Sequence, residues 1–221
     1  ATAAPAASVP LVAAVYVDVD ALTVQFVLDT ATLNALKKAE NLATATSNTF
    51  ISIETDGVKD MAANGIVAKV LVASTVGPDT TSPLLTSFGV DMATGQESLT
   101  ITFDETIDRS SLAIEQITLV GNGGSHPLTS AASTSEDGTT IFVSIDTVDV
   151  DELKRKGICT TAAECAMSMS PTAITDMAGR ALVQVTAQGV AAFGEDATDP
   201  AVATFVKFDF DAAQLTLSFS E

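Results

Sequence analysis

Tryptophan is absent from this 221-residue chain, tyrosine occurs once, and aromatic residues make up only 5%. Enzymes that cleave sugars need two carboxylates facing across a cleft, usually beside aromatic platforms, so the scarcity of rings argues against that class. Basic residues are also few: 10 against 28 acidic ones, for a net charge of −18. Phosphate backbones and anionic membrane surfaces would both repel such a chain, which argues against nucleic acid and membrane partners. No apolar run approaches the ~20 residues that span a bilayer. The longest, VPLVAAVYV at 9–17, is strand-length. The single histidine, His126, precedes Pro127 after a glycine-rich stretch and reads as an exposed turn residue. No GxSxG-type nucleophile elbow accompanies it, so a Ser-His-Asp triad has no support, and the chain reads as something other than an enzyme. No N-x-Ser/Thr sequon occurs, so any glycan would be O-linked, near prolines such as Pro5, Pro83 and Pro171.

Hydrophobic residues reach 47%, drawn mostly from Ala, Val, Leu and Ile. That palette suits layered, β-branched strands. Comparing the chain with itself gives the strongest signal. KDMAANGIVAKV at 59–70 matches TDMAGRALVQV at 175–185, and DTTSPLLTSF at 79–88 matches DATDPAVATF at 196–205. ALTVQFVLDTATLNALKK at 21–38 matches GTTIFVSIDTVDVDELKR at 138–155, and VPLVAA at 9–14 matches HPLTSA at 126–131. LTITFDE at 99–105 returns as LTLSFSE at 215–221. All lie about 116–117 residues apart, the size of one immunoglobulin-like unit.

The repeat read through once, over about 83–193, gives seven strands. Leu99, Ile101 and Phe103 alternate with Thr100 and Thr102, which predicts a half-buried strand. DRSSL predicts a short helical turn capped by aspartate, and HPLTSAAST a weak strand. TVDVDELKRKG carries acids early, bases late and a final glycine, which predicts one short helix. The fold class is therefore all-β: tandem immunoglobulin-like β-sandwich repeats of about 117 residues, each with one short helix before its last two strands.

Three phrases carry a family resemblance. They are the Asp-x-Thr-x-Pro start at Asp79 and Asp196, Thr102-Phe103-Asp104-Glu105-Thr106-Ile107-Asp108, and Asp176-Met177-Ala178-Gly179. With these the chain resembles the bacterial immunoglobulin-like modules first described in S-layer proteins. Arg180 stands where such modules usually carry Asn, and Ala63-Asn64-Gly65 departs from their Gly-Asn. The resemblance implies spacers and building blocks of cell-surface, adhesive or fibrous proteins, with no shared active site.

The repeat frame divides the chain into an incomplete unit at 1–78, a complete unit at 79–195, and the leading strands of a further unit at 196–221. A half-sandwich leaves its core face and strand edges bare. The expectation is a structural subunit of an extracellular filament or surface appendage, joined head-to-tail to copies of itself by strand complementation. Val202, Phe205, Phe208, Leu215, Leu217 and Phe219 would be donated, and Leu11, Val15, Val17, Val24, Phe26 and Leu28 would accept. The alternative is a spacer or stalk within a longer tandem-repeat adhesin that binds carbohydrate or protein through another domain.

Cys159 and Cys165 flank TTAAE, a spacing that fits neither a CxxC redox motif nor a zinc knuckle. Buried thiols are one reading; a disulfide closing a small surface loop, in an oxidising extracellular compartment, is the favoured one. The matching positions in the first copy are Ala43 and Thr49, so the bridge is expected to be a local clamp. No cofactor is otherwise expected, but Asp79, Asp196 and Asp199 in the linkers are candidate calcium ligands, with Asp104 and Glu105 as further carboxylates. Asp60 and Asp176 read as turn caps, and Asp151 and Glu152 as helix first-turn charges.

Overall fold

The computed structural model describes residues 8–11, 15–18, 23–39, 41–55 and 57–220. It is mostly β, with two α-helices among the described residues. In the first third of the chain β1 (Val15–Asp18) pairs with β2 (Val24–Val27) and β3 (Phe50–Ile53) with β4 (Lys69–Val72), both antiparallel. Between the two hairpins lies α1 (Thr30–Lys38), started by the Asp29 carboxylate, which accepts from Thr32 N at 2.7 Å.

The middle of the chain is a two-layer sandwich. Its elements are β5 (Leu85–Asp91), β6 (Ser98–Asp108), β7 (Ile117–Gly121), β8 (Gly124–Pro127), β9 (Ala131–Ala132), β10 (Gly138–Ile145), α2 (Thr147–Lys156), β11 (Ala166–Met169), β12 (Thr175–Asp176), β13 (Val185–Gly189) and β14 (Ala192–Gly194). One sheet has the order β14-β5-β6-β10-β9, with β12 also on β6; the other has the order β13-β11-β7-β8. The chain ends in the antiparallel hairpin of β15 (Val202–Asp209) and β16 (Gln214–Phe219).

The core lies between the two sheets. Leu99, Ile101 and Phe103 of β6, beside Ile141 and Val143 of β10, are buried in one cluster with Ile117 and Leu119 of β7 and Met167 and Met169 of β11 from the other sheet. Alternation explains which residues enter it: Phe142, between Ile141 and Val143, is exposed. α2 covers one end with Val150 and Leu153. It starts at Asp146, whose side chain accepts from Val148 N, and stops at Gly157 in left-handed backbone (φ 64°). The β7–β8 hairpin passes so close to that stop that a Cβ on Gly123 would fall 1.5 Å from the Lys156 carbonyl oxygen. Gly123 is thus required by packing, and Gly124, at φ 115°, by its backbone conformation.

Three stretches, among them the HPLTSAAST expected to hold one weak strand, each divide in two and change sheet. β8 lies in the smaller sheet and β9 in the larger; β11 and β12 divide the same way, as do β13 and β14. The crossing is how a sandwich turns its corners. Leu128 sits at the first crossing, fully buried.

We expect Ile101→Ala to destabilise the chain by about 2–5 kcal/mol, because it leaves a cavity between two packed sheets. Phe142→Thr on the opposite face of the neighbouring strand should change stability by less than about 1 kcal/mol. Urea unfolding of both variants checks the difference.

Candidate assembly surfaces and the acidic joint

The two terminal hairpins expose apolar residues whose sequence counterparts in the sandwich are buried. Phe205, Leu215 and Leu217 are 60%, 57% and 39% exposed, whereas Phe88, Leu99 and Ile101 are 1%, 0% and 0% exposed. The registers agree: Phe205 opposes Leu217 and Phe208 opposes Leu215, as Phe88 opposes Ile101 and Val90 opposes Leu99. Val202, Phe208 and Phe219 are exposed as well. At the other end of the chain Leu11, Val24 and Phe26 are exposed and Leu28 is half-buried. Their counterparts Leu128, Ile141, Val143 and Ile145 are buried. Val15 and Val17 lie in β1, whose side chains fall outside the described ones. Ile51, Ile66 and Leu71 add further exposed apolar surface on the same third of the chain.

Between the first third and the sandwich lies a polar joint. Asn34 of α1 meets Thr106 of β6: Thr106 N donates to Asn34 Oδ1, and Thr106 Oγ1 to the Asn34 carbonyl oxygen, both at 3.1 Å. One turn on, the Lys37 ammonium donates to Glu105 Oε2 and lies 2.7 Å from Asp79 Oδ2. Asp176 completes the group, and one carboxylate oxygen from each of Asp79, Glu105 and Asp176 lies within 4.8 Å of the others. Glu105 and Asp176 are both buried.

The charges respond to this setting. Burial would lower the Lys37 pKa, but the two carboxylates beside it hold it above its usual value. Burial would raise that of Asp79; hydrogen bonds from Lys37 and Thr81 N outweigh it and hold the carboxyl low. At Glu105 burial prevails over Lys37, and the pKa rises.

Of the three linker aspartates expected to gather a cation, only Asp79 belongs to this group. Asp196 pairs with Lys154 at 2.7 Å and accepts from Thr94 Oγ1 and Thr198 N. Asp199 joins no cluster of three potential ligands among the described residues. Asp104 accepts from Leu84 N at 2.8 Å. Asp60 and Asp176 do cap their turns: Asp60 Oδ1 accepts from Ala62 N and Asn64 N, and Asp176 Oδ1 from Ala178 N and Arg180 N.

His126 is a correction. It was expected to be an exposed turn residue; instead it lies in β8, buried, with Nε2 2.9 Å from Asp149 Oδ1. Asp149 is fully buried in the first turn of α2, and it also accepts from Thr129 N, Thr129 Oγ1 and Ser130 N. The group ties the helix to the chain just where it crosses between sheets. Nothing local to His126-Pro127 signals a partner 23 residues away. Cys159 and Cys165 form a disulfide (S–S 2.06 Å), and both are buried.

No protein-family model matches this chain, and no curated protein does. A solved structure that does match is the N-terminal part of the bacterial S-layer protein SbsC, at 16% identity and a TM-score of 0.32. The match takes in 62% of this chain and spans 33% of that one. Likeness at this level bears on neither fold nor role. No described helix is long and apolar enough to cross a membrane.

Burial would raise the Asp149 pKa, but its hydrogen bonds from Ser130, His126 and Thr129 prevail and hold it below the usual carboxylate value. A depressed folded-state pKa means that stabilisation is present above the unfolded value and lost as pH falls through the folded one. Asp149→Asn should therefore cost about 3 kcal/mol at neutral pH, by removing a buried hydrogen-bonded charge. The gap to wild type should close as pH drops below about 4, which urea unfolding across a pH series measures.

Proposed function

We propose that this chain is a structural subunit of an extracellular filament or surface appendage. Its immunoglobulin-like units repeat about every 117 residues, and successive molecules join head-to-tail by strand complementation. The observation that carries the reading is the contrast between buried and exposed counterparts: the positions that form the core of the sandwich recur, bare, on the hairpins at both ends. Fully burying one large apolar side chain contributes roughly 1.5–3 kcal/mol. The six on β15 and β16 thus supply a drive on the order of 10 kcal/mol before the costs of association.

Backbone geometry supports the repeat. Asn41, Ala43 and Ala63 have φ of 61°, 57° and 66°, and their counterparts Gly157, Cys159 and Gly179 have 64°, 55° and 76°. Non-glycine residues rarely adopt that region, so the three coincidences favour a chain path used twice. The ion pairs agree too: Lys37–Asp79 and Lys154–Asp196 are matching residues, each at 2.7 Å. The Cys159–Cys165 bridge supports the extracellular part of the proposal.

The Lys37–Asp79 joint links two units along one continuous chain. It therefore also favours a second reading, a spacer or stalk within a longer tandem-repeat adhesin.

Electron microscopy and sedimentation of the purified protein test the proposal. Wild type should form rods that lengthen with concentration. The double variant Phe205→Asp, Leu217→Asp should remain short while its sandwich keeps its unfolding transition, since both side chains are exposed within the chain. A wild type that stays a single monomeric species at high concentration overturns the reading.

A further inference from the structure

We infer that Asp79, Glu105 and Asp176 form a binding site for one divalent hard cation of the calcium type, set in the joint between the first third of the chain and the sandwich.

Three carboxylates alone would not make a site. The second observation is that Glu105 Oε1 and Asp176 Oδ2 are buried and accept no hydrogen bond among the described residues. Glu105 is 7% exposed and Asp176 1%. An unsatisfied buried carboxylate oxygen is costly, and these two belong to carboxylates of one cluster, so a shared partner would satisfy both. The spacing suits such a partner. Oxygens around calcium lie 2.3–2.6 Å from the ion, so two on opposite sides are roughly 5 Å apart at most. The three carboxylates offer oxygens within 4.8 Å of one another.

Charge points the same way. Three carboxylates gather round one ammonium, that of Lys37, so acidic groups outnumber basic ones at the centre of the joint. Arg180 stands at the exposed edge, where its Nε donates to the Asp79 carbonyl oxygen at 3.1 Å. Lys37 engages Glu105 through Oε2 and Asp79 through Oδ2, so it leaves Glu105 Oε1 and the Asp176 oxygen open to the ion. Hard oxygen donors and no thiolate or imidazole favour calcium over softer metals. Water would fill the remaining positions.

The ligands come from separate places: Asp79 from the linker, Glu105 from β6, and Asp176 from β12, which pairs with β6. A bound ion would therefore fix the linker, and with it α1, against the sandwich. It would make the joint stiff when occupied and looser when stripped.

The full chain is titrated with calcium and, in parallel, with terbium as a luminescent probe, and its thermal unfolding is recorded with calcium and with chelator. We expect one ion per chain at this joint and a calcium-dependent rise in Tm of about 5 °C at hundredfold excess over Kd. Asp176→Asn and Glu105→Gln should each weaken binding at least tenfold, while Asp196→Asn and Asp199→Asn should leave it unchanged. The Glu105→Gln variant also separates the alternative in which Glu105 is simply a neutral acid: its amide would then substitute with no loss of any ion. Wild type that unfolds identically in calcium and chelator overturns the inference. So does calcium dependence that persists in both Glu105→Gln and Asp176→Asn. Neither outcome bears on whether the protein polymerises.

Discussion

A pleated strand carries its apolar side chains on one face, and that face has to be covered. In the middle of this chain the requirement is met by two sheets closing on each other around Leu99, Ile101 and Phe103 of β6. Almost every other feature follows from it. The strands that change sheet close the corners, α2 covers one end with Val150 and Leu153, and Gly123 lets the β7–β8 turn fit against the end of the helix. At the two ends of the chain the same pattern of side chains occurs without its cover. Hairpins of two strands are marginal in water on their own, and the apolar faces of these two are exposed within the chain.

Polar groups then decide how the covered and uncovered parts are held relative to each other. The Asp149 carboxylate secures the sheet crossing by gathering hydrogen bonds from His126 of β8 and from Thr129 and Ser130 of the crossing itself. The Lys37 ammonium secures α1 to β6 and to the linker. In a chain with a net charge of −18, where bases are few, both lysines at matching positions are committed to linker aspartates. Two of the ten basic residues are thus spent on the linkers.

How much of this was legible in the sequence depended on the range of the interaction responsible. β6 and α2 were readable because alternation, an aspartate cap and a terminal glycine act within a few residues. The division of HPLTSAAST into β8 and β9 was not, because the apolar pattern is the same whichever sheet receives it. Pro127 closes β8, but only the second sheet says where the chain goes next. His126 was misread for a similar reason, since its partner sits on a helix far along the chain. The acidic joint was half visible. Glu105 keeps step with Leu99, Ile101 and Phe103, so a carboxylate on the core side of the strand could have been noticed from spacing alone. Asp176 was recognised as a cap, which it is through one oxygen; the role of its other oxygen depends on elements brought together only by folding.

The pairing of β5 with β14 has a mechanical consequence. They are the first and last strands of the sandwich, and they run parallel, with Gly89 opposite Ala192, Val90 opposite Phe193 and Asp91 opposite Gly194. The backbone therefore enters at one pole and leaves at the other along neighbouring tracks. Tension applied through the two linkers would slide one track past the other, loading the Ala191 N to Phe88 O and Met92 N to Gly194 O bonds at the same moment. A hairpin pulled from its open end yields one rung at a time; this arrangement has to rupture several together. A rod assembled from such modules would resist stretching far better than its modest ladder of bonds suggests.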